Sequence, residues 1–139
     1  MPITADYGSF TDARLHLKDV LDATEQGRIV TVLRDAHLSA VMPAEKLRGY
    51  FYRTVSPRVK VYREDGRTIA LMQDRPFVSE GEDISGALAD LALSLREYAD
   101  DWEDRLQGAP NHTANWALVQ LIKLSDEDQL LDWLECGGE

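Results

Sequence analysis

Apolar residues recur at spacings of three and four near the start of the chain: Phe10, Ala13, Leu17, Val20 and Leu21, with Thr24 closing the series. That period lays them along one stripe and predicts a half-buried helix. Ser9 or Thr11 is the expected N-cap, and Asp12 sits near the positive end of the helix dipole. Gln26-Gly27 supplies the stop, because glycine accepts the left-handed conformation that ends helices. Two compact apolar runs follow. Residues 29–33 are β-branched and apolar and predict a strand, 34–37 a turn, and 38–42 the returning strand. Pro43 ends that strand and opens a helix over 44–52. A short strand over 3–5 is expected ahead of all this.

Ser56-Pro57 punctuates the chain and marks the expected domain boundary. Beyond it, residues 59–63 alternate, 64–67 turn around an Asp-Gly pair and 68–72 return, which reads as a hairpin. Residues 77–79 add a short edge strand. Asp83 caps the longest predicted helix, whose apolar positions Ile84, Ala87, Leu88, Leu91, Ala92, Leu95, Tyr98, Ala99, Trp102 and Leu106 keep a three-four repeat. Gly108-Ala109-Pro110 breaks it. Another helix begins near Asn111-His112-Thr113 and is expected to wedge Trp116 into the core. Ser125-Asp126 has the form of an N-cap for a last helix bearing Leu130, Leu131, Trp133 and Leu134. The tail 137–139 is expected to fray. The fold class is therefore α+β: a helix, hairpin and helix, then a small hairpin with a long helix, then C-terminal helices.

Composition sharpens this reading through its asymmetry. The 139 residues carry a net charge of −10. Residues 1–63 hold ten Lys/Arg against seven Asp/Glu, a net +3, and residues 64–139 hold five against eighteen, a net −13. A mildly basic first half suits a polyanion, while the acidic second half suits a basic partner. No apolar run approaches the ~18 residues that span a bilayer. The opening MPITADYGSF has neither a basic n-region nor an apolar h-region. With a single cysteine, Cys136, these features predict a cytoplasmic protein.

Catalytic signatures are sparse. His16, His37 and His112 are far apart in sequence, and none pairs with another ligand at a metal-binding spacing. There is no phosphate-binding glycine loop and no nucleophile elbow. Cys136 has no neighbouring base to activate it. Asp100, Glu103 and Asp104 share one helical face and could hold a divalent cation, giving a metal-dependent hydrolase; the same pattern suits a solvated helix face. The expectation is a protein that is not an enzyme and uses no cofactor or metal.

The basic groups of the first half carry more. Arg14 and Lys18 lie four apart on the first helix, His16 points from another side, and Arg34 and His37 stand at the strand–strand corner. If helix and corner share an edge, they make a patch that can contact phosphates, with Arg14 or Arg34 reaching a base edge. One such patch makes few contacts, so specificity would need a symmetric dimer on a palindromic site. Ordinary solvated side chains would give the same sequence.

The order of residues across 10–51 adds to this. Asp12-Ala13-Arg14, Leu17, Leu21, Gly27-Arg28, Val30 and Val32, Arg34, Ala40-Val41, Pro43, Glu45 and Leu47 fall in the pattern of the Phd/YefM family of bacterial antitoxins, which this stretch resembles. The corner differs, reading Arg34-Asp35-Ala36-His37-Leu38 where the family has Arg-x-Gly-x-Pro. The resemblance implies a dimerising, DNA-binding domain over 1–56, with Arg14 and Arg34 as leading contacts and Thr11, His16, Lys18 and His37 secondary. It implies operator DNA, a second copy of the chain and a cognate toxin as partners, the toxin being a small basic ribonuclease of the RelE/ParE kind. The acidic region 57–139 would bind that toxin. Residues 59–102 also look like the HicB-type antitoxin unit, with Gly81 spaced before Ala87-Leu88. A DNA-binding regulator or interaction module of the same fold, without a toxin, is the alternative.

Overall fold

The predicted first helix is interrupted at His16. A computed structural model, describing residues 3–106 and 108–138, places α1 over Phe10–Leu15 and α2 over Leu17–Glu25. Ser9 is the N-cap and accepts from the Asp12 N–H. His16 adopts φ −117° and ψ 26°, outside helical values. Its Nδ1 donates to the Asp12 carbonyl at 2.8 Å, a local side-chain bond that competes with the helical ladder. Gly27 ends α2 at φ +88°.

The hairpin follows. β1 (Val30–Arg34) pairs antiparallel with β2 (His37–Val41), from Val30 opposite Val41 to Arg34 opposite His37. Asp35 takes the turn at φ 54°. The strand expected over 3–5 does not form. Tyr7 alone bridges Val32 in parallel, bonding to Thr31 and Leu33. The Asp6 carboxylate accepts the Thr31 N–H at 2.8 Å, which a continuing ladder would need for itself. Pro43 precedes α3 (Ala44–Thr54).

The chain divides into two compact units, Met1–Leu47 and Arg48–Glu139. The division falls inside α3, whereas the sequence places it at 56/57. The cause is the C-terminal half of α3, which packs with the end of the chain. Trp133 is fully buried and its indole N–H donates to the Val55 carbonyl at 2.8 Å. Tyr52 Oη donates to Asp132 at 2.8 Å. The tail expected to fray is tied down as well, since the Gly138 N–H donates to the Tyr52 carbonyl at 2.8 Å. Gly138 has φ +81°, and a Cβ there would lie 2.4 Å from the Ser56 Cα, so only glycine fits. Glu139 lies outside the described residues.

In the second unit β3 (Val59–Glu64), β4 (Arg67–Met72) and β5 (Val78–Gly81) form an antiparallel sheet in that order. The hairpin closes on Asp65-Gly66, both with positive φ, as an Asp-Gly two-residue turn demands. β4 is central and buries Thr68, Ile69, Ala70 and Met72. α4 (Ile84–Asp101) is capped by Asp83, whose carboxylate accepts from Gly86. It buries Ala87, Leu88, Leu91, Ala92, Leu95 and Ala99, and it meets β4, β5, α5 (Trp116–Leu124) and α6 (Glu127–Cys136). Only Ile84 of its predicted core positions is largely exposed. Gly81 sits so near α4 that a Cβ would lie 2.4 Å from the Ala87 nitrogen, which gives the Gly81 to Ala87 spacing a packing reason.

Trp116 is not wedged into the core. It stands at the start of α5, half exposed, with its ring 5.7 Å from Phe51 and edge-on to it. The indole that fills the core is Trp133. Asp126 rather than Ser125 caps α6, in a full capping box with Gln129. Ser125 is buried and bonds to the Leu121 carbonyl.

Arg96, which lies outside the apolar stripe of α4, caps the end of α5. Its guanidinium donates to the carbonyls of Ile122, at 2.6 Å, and Ser125. Helix C-termini leave carbonyls without intrahelical partners and favour cations. Replacing Arg96 with Ala is expected to cost about 1–3 kcal/mol, read by denaturant unfolding. A change below ~0.5 kcal/mol would show that water replaces the guanidinium at no cost.

Candidate nucleic-acid interface

The basic residues of the first unit are all solvent-exposed, as a polyanion contact requires. Arg34, the last residue of β1, lays its guanidinium over the Phe10 ring, 5.2 Å from the centroid. This cation–π contact joins the corner of the hairpin to the start of α1. His37 lies directly opposite Arg34 in the strand register. Arg14 is one turn along α1 from Phe10 and lines the same shallow cavity of about 200 Å³ as Phe10, Leu17 and Val32. Helix and corner therefore do share an edge. Phe10 links Arg14 and Arg34, with His37 beside Arg34.

Of the remaining three residues, two already have partners. His16 Nδ1 is held by Asp12, and its ring stacks on Tyr7 at 5.8 Å. Lys18 is ion-paired with Asp22 at 2.6 Å, one turn along α2. Thr11 is exposed in the first turn of α1. The role of Phe10 was hidden in the sequence, where its spacing marks it as core. A large apolar residue one turn before a basic one was the available signal.

An apolar surface accompanies this edge. Among the described residues of the first unit, the only buried hydrophobic side chains are Val20 and Val30. Phe10, Leu17 and Leu21, all assigned to the core stripe, are 53%, 55% and 49% exposed. Two buried valines are far too little core to offset the ordering of a unit this size.

The acidic positions of the second half are arranged differently from one helical face. α4 ends at Asp101, and Trp102–Leu106 forms a π-helical turn, which rotates Glu103 and Asp104 away from their α-helical positions relative to Asp100. Glu103 pairs with Lys123 at 2.5 Å, and Asp101 with Arg105 at 3.3 Å. Among the described residues no group of three or more His, Cys, Asp or Glu is placed to hold a metal ion. His112 belongs to a packing network: its Nδ1 lies 2.8 Å from Tyr98 Oη, and its carbonyl accepts the Trp102 indole N–H. No helix of the described residues is long and apolar enough to cross a membrane.

No family model matches the chain, and no curated protein matches it significantly. A solved structure does. The crystal structure of an antitoxin part of a candidate toxin/antitoxin system from Syntrophomonas wolfei subsp. wolfei superposes with a TM-score of 0.78 at 19% sequence identity. The match covers 92% of this chain and 95% of that one. Across both units, the chain is similar in fold to that antitoxin.

Proposed function

We propose that this protein is the antitoxin of a toxin–antitoxin pair, acting by binding rather than by catalysis. The observation that carries this reading is the fold likeness to an antitoxin structure over nearly the full length of both chains. The charge asymmetry supports it, because the −13 of residues 64–139 would steer a small basic toxin, of the RelE/ParE kind, toward the second unit. The test is genetic. The product of the adjacent reading frame should arrest growth when expressed alone and cease to do so when this protein is co-expressed. An adjacent product that is harmless, or whose toxicity this protein leaves intact, would overturn the proposal.

The first unit, in this reading, dimerises through the apolar stripe of α1 and α2 and binds the operator of its own genes. Its small core and half-exposed Phe10, Leu17 and Leu21 support a second copy as the occupant of that stripe, in line with the Phd/YefM resemblance of residues 10–51. Arg14 and Arg34 then occur twice per dimer, one set for each half-site. Arg14→Ala and Arg34→Ala should each weaken operator binding about tenfold or more while the dimer persists. The slope of affinity against salt should also become shallower. Unchanged gel-shift affinity in both variants would remove the DNA assignment without touching the toxin assignment.

A further inference from the structure

The second unit contains a cationic cavity that shares no residue with the Arg14 and Arg34 edge of the first unit. It has a volume of about 380 Å³ and opens among the end of α3, the loop between α3 and β3, the β4–β5 loop and the start of α5. Arg58 and Arg75 both line it, with Gln73 and Asn115 as neutral polar groups and Val55 and Leu118 as apolar wall. Two guanidiniums sharing one cavity is unexpected in a region so rich in carboxylates. Like charges repel, and Arg75 is only partly solvated there.

The local structure holds these groups in place. Arg75 is half-buried, and its guanidinium donates to the Ser56 carbonyl at 2.8 Å. Burial first, and then the charge of Arg58, draw the Arg75 guanidinium below its ordinary pKa, with Asp74 acting the other way. Arg58 is exposed and paired with the Asp74 carboxylate at 2.5 Å. Both partners have positive φ, 48° at Arg58 and 66° at Asp74, which non-glycine residues rarely adopt. The Arg58 carbonyl accepts the Gln73 N–H at 2.9 Å, joining the two loops. The Asp74 carboxylate thus occupies one arginine, while the second lies deeper.

We propose that this cavity binds a small molecule through a phosphate or carboxylate group, held between Arg58 and Arg75, with Asp74 the internal carboxylate that the ligand displaces from Arg58. Planar guanidiniums match both oxyanions in a fork geometry. The volume exceeds what one oxyanion fills, and the apolar wall of Val55 and Leu118 accommodates the rest of the ligand. An occupant touching α3, the β4–β5 loop and α5 would stabilise the second unit by mass action.

Titration of the full-length protein with inorganic phosphate and, separately, with succinate, followed by the arginine Nε–Hε NMR signals, tests this. Sodium chloride at matched ionic strength is the control. Saturable shifts of two arginine signals with phosphate or succinate are expected, and the anion that saturates identifies the ligand class. Asp74→Asn should tighten binding several-fold by freeing Arg58, and Arg58→Gln should weaken it several-fold. Arg75→Gln should abolish it; because Arg75 also holds Ser56, the exposed positions 58 and 74 carry the test if that variant unfolds. Non-saturable shifts with both anions, or equal affinities in Asp74→Asn and the unaltered protein, would overturn the proposal. The antitoxin reading is unaffected by either result.

Discussion

Replacing Trp133 with Ala is expected to remove most of the stability of the second unit. The side chain, on α6, is fully buried and bonded to Val55 just past α3, and truncating an indole in a packed core costs about 3–5 kcal/mol. The Val55 carbonyl loses its donor at the same time, adding about 1–3 kcal/mol if no water reaches it. Domains of this size are stable by only about 5–15 kcal/mol, so the loss takes a large share of the total. Differential scanning calorimetry should show the main transition greatly lowered or absent. Trp133→Phe keeps most of the apolar volume but not the N–H, and should fall between the two. A loss under ~1 kcal/mol in the Ala variant would mean that Trp133 is not the keystone its burial indicates.

On the proposed dimer, Leu17→Glu is expected to leave a monomer. Leu17 is already 55% exposed in the single chain, so a carboxylate there costs the isolated unit little. In a two-fold interface each substitution is felt twice, because the same patch serves both copies. With about half of its surface left to bury, each leucine loses about 1 kcal/mol, or about 2 kcal/mol per dimer and roughly thirtyfold in dissociation constant, and burying two carboxylates at the interface adds to that. Sedimentation velocity reads the result directly, and Leu21→Glu should behave alike. Circular dichroism would report whether α1 and α2 melt once the partner is gone. A dimer of unchanged affinity in both variants would place the second copy elsewhere.

These two predictions rest on features of opposite legibility. The sheet and long helix of the second unit were plain in the sequence, although the place of Trp116 was not. Its long helix declares itself by ten apolar positions at one period, by Asp83 as cap and by an Asp-Gly turn that has few other uses. Local chemistry and tertiary packing agree there, so reading one gives the other. The first unit was legible as a list of elements but not as a shape. The break at His16 depends on a side chain reaching back to Asp12, which hydrophobic periodicity does not record. Periodicity identified the stripe of Phe10, Leu17 and Leu21 as apolar but gave no sign that a single chain leaves it half exposed.

The candidate sites divide in the same way. Position along the elements suggested one edge for Arg14, Arg34 and His37; in the structure Phe10 lies under Arg34 and lines a cavity with Arg14, while His37 stands opposite Arg34. The pairing of Lys18 with Asp22 is an ordinary i, i+4 contact that lowers its availability. Arg58 and Arg75 could not be brought together from sequence. They lie on separate loops whose approach depends on two left-handed residues, Arg58 and Asp74, neither a glycine nor an asparagine.

The bond between Trp133 and Val55 spans 78 residues of chain. A polypeptide growing from its N-terminus carries the exposed Val55 carbonyl and the apolar faces of α3 and α4 until residue 133 has left the ribosome. Long-range closures of this kind fold slowly and leave sticky surface uncovered in the interval. During that interval the nascent second unit is open to proteases and chaperones. Protection of the second unit from proteases during synthesis is therefore expected only once the last helix has arrived.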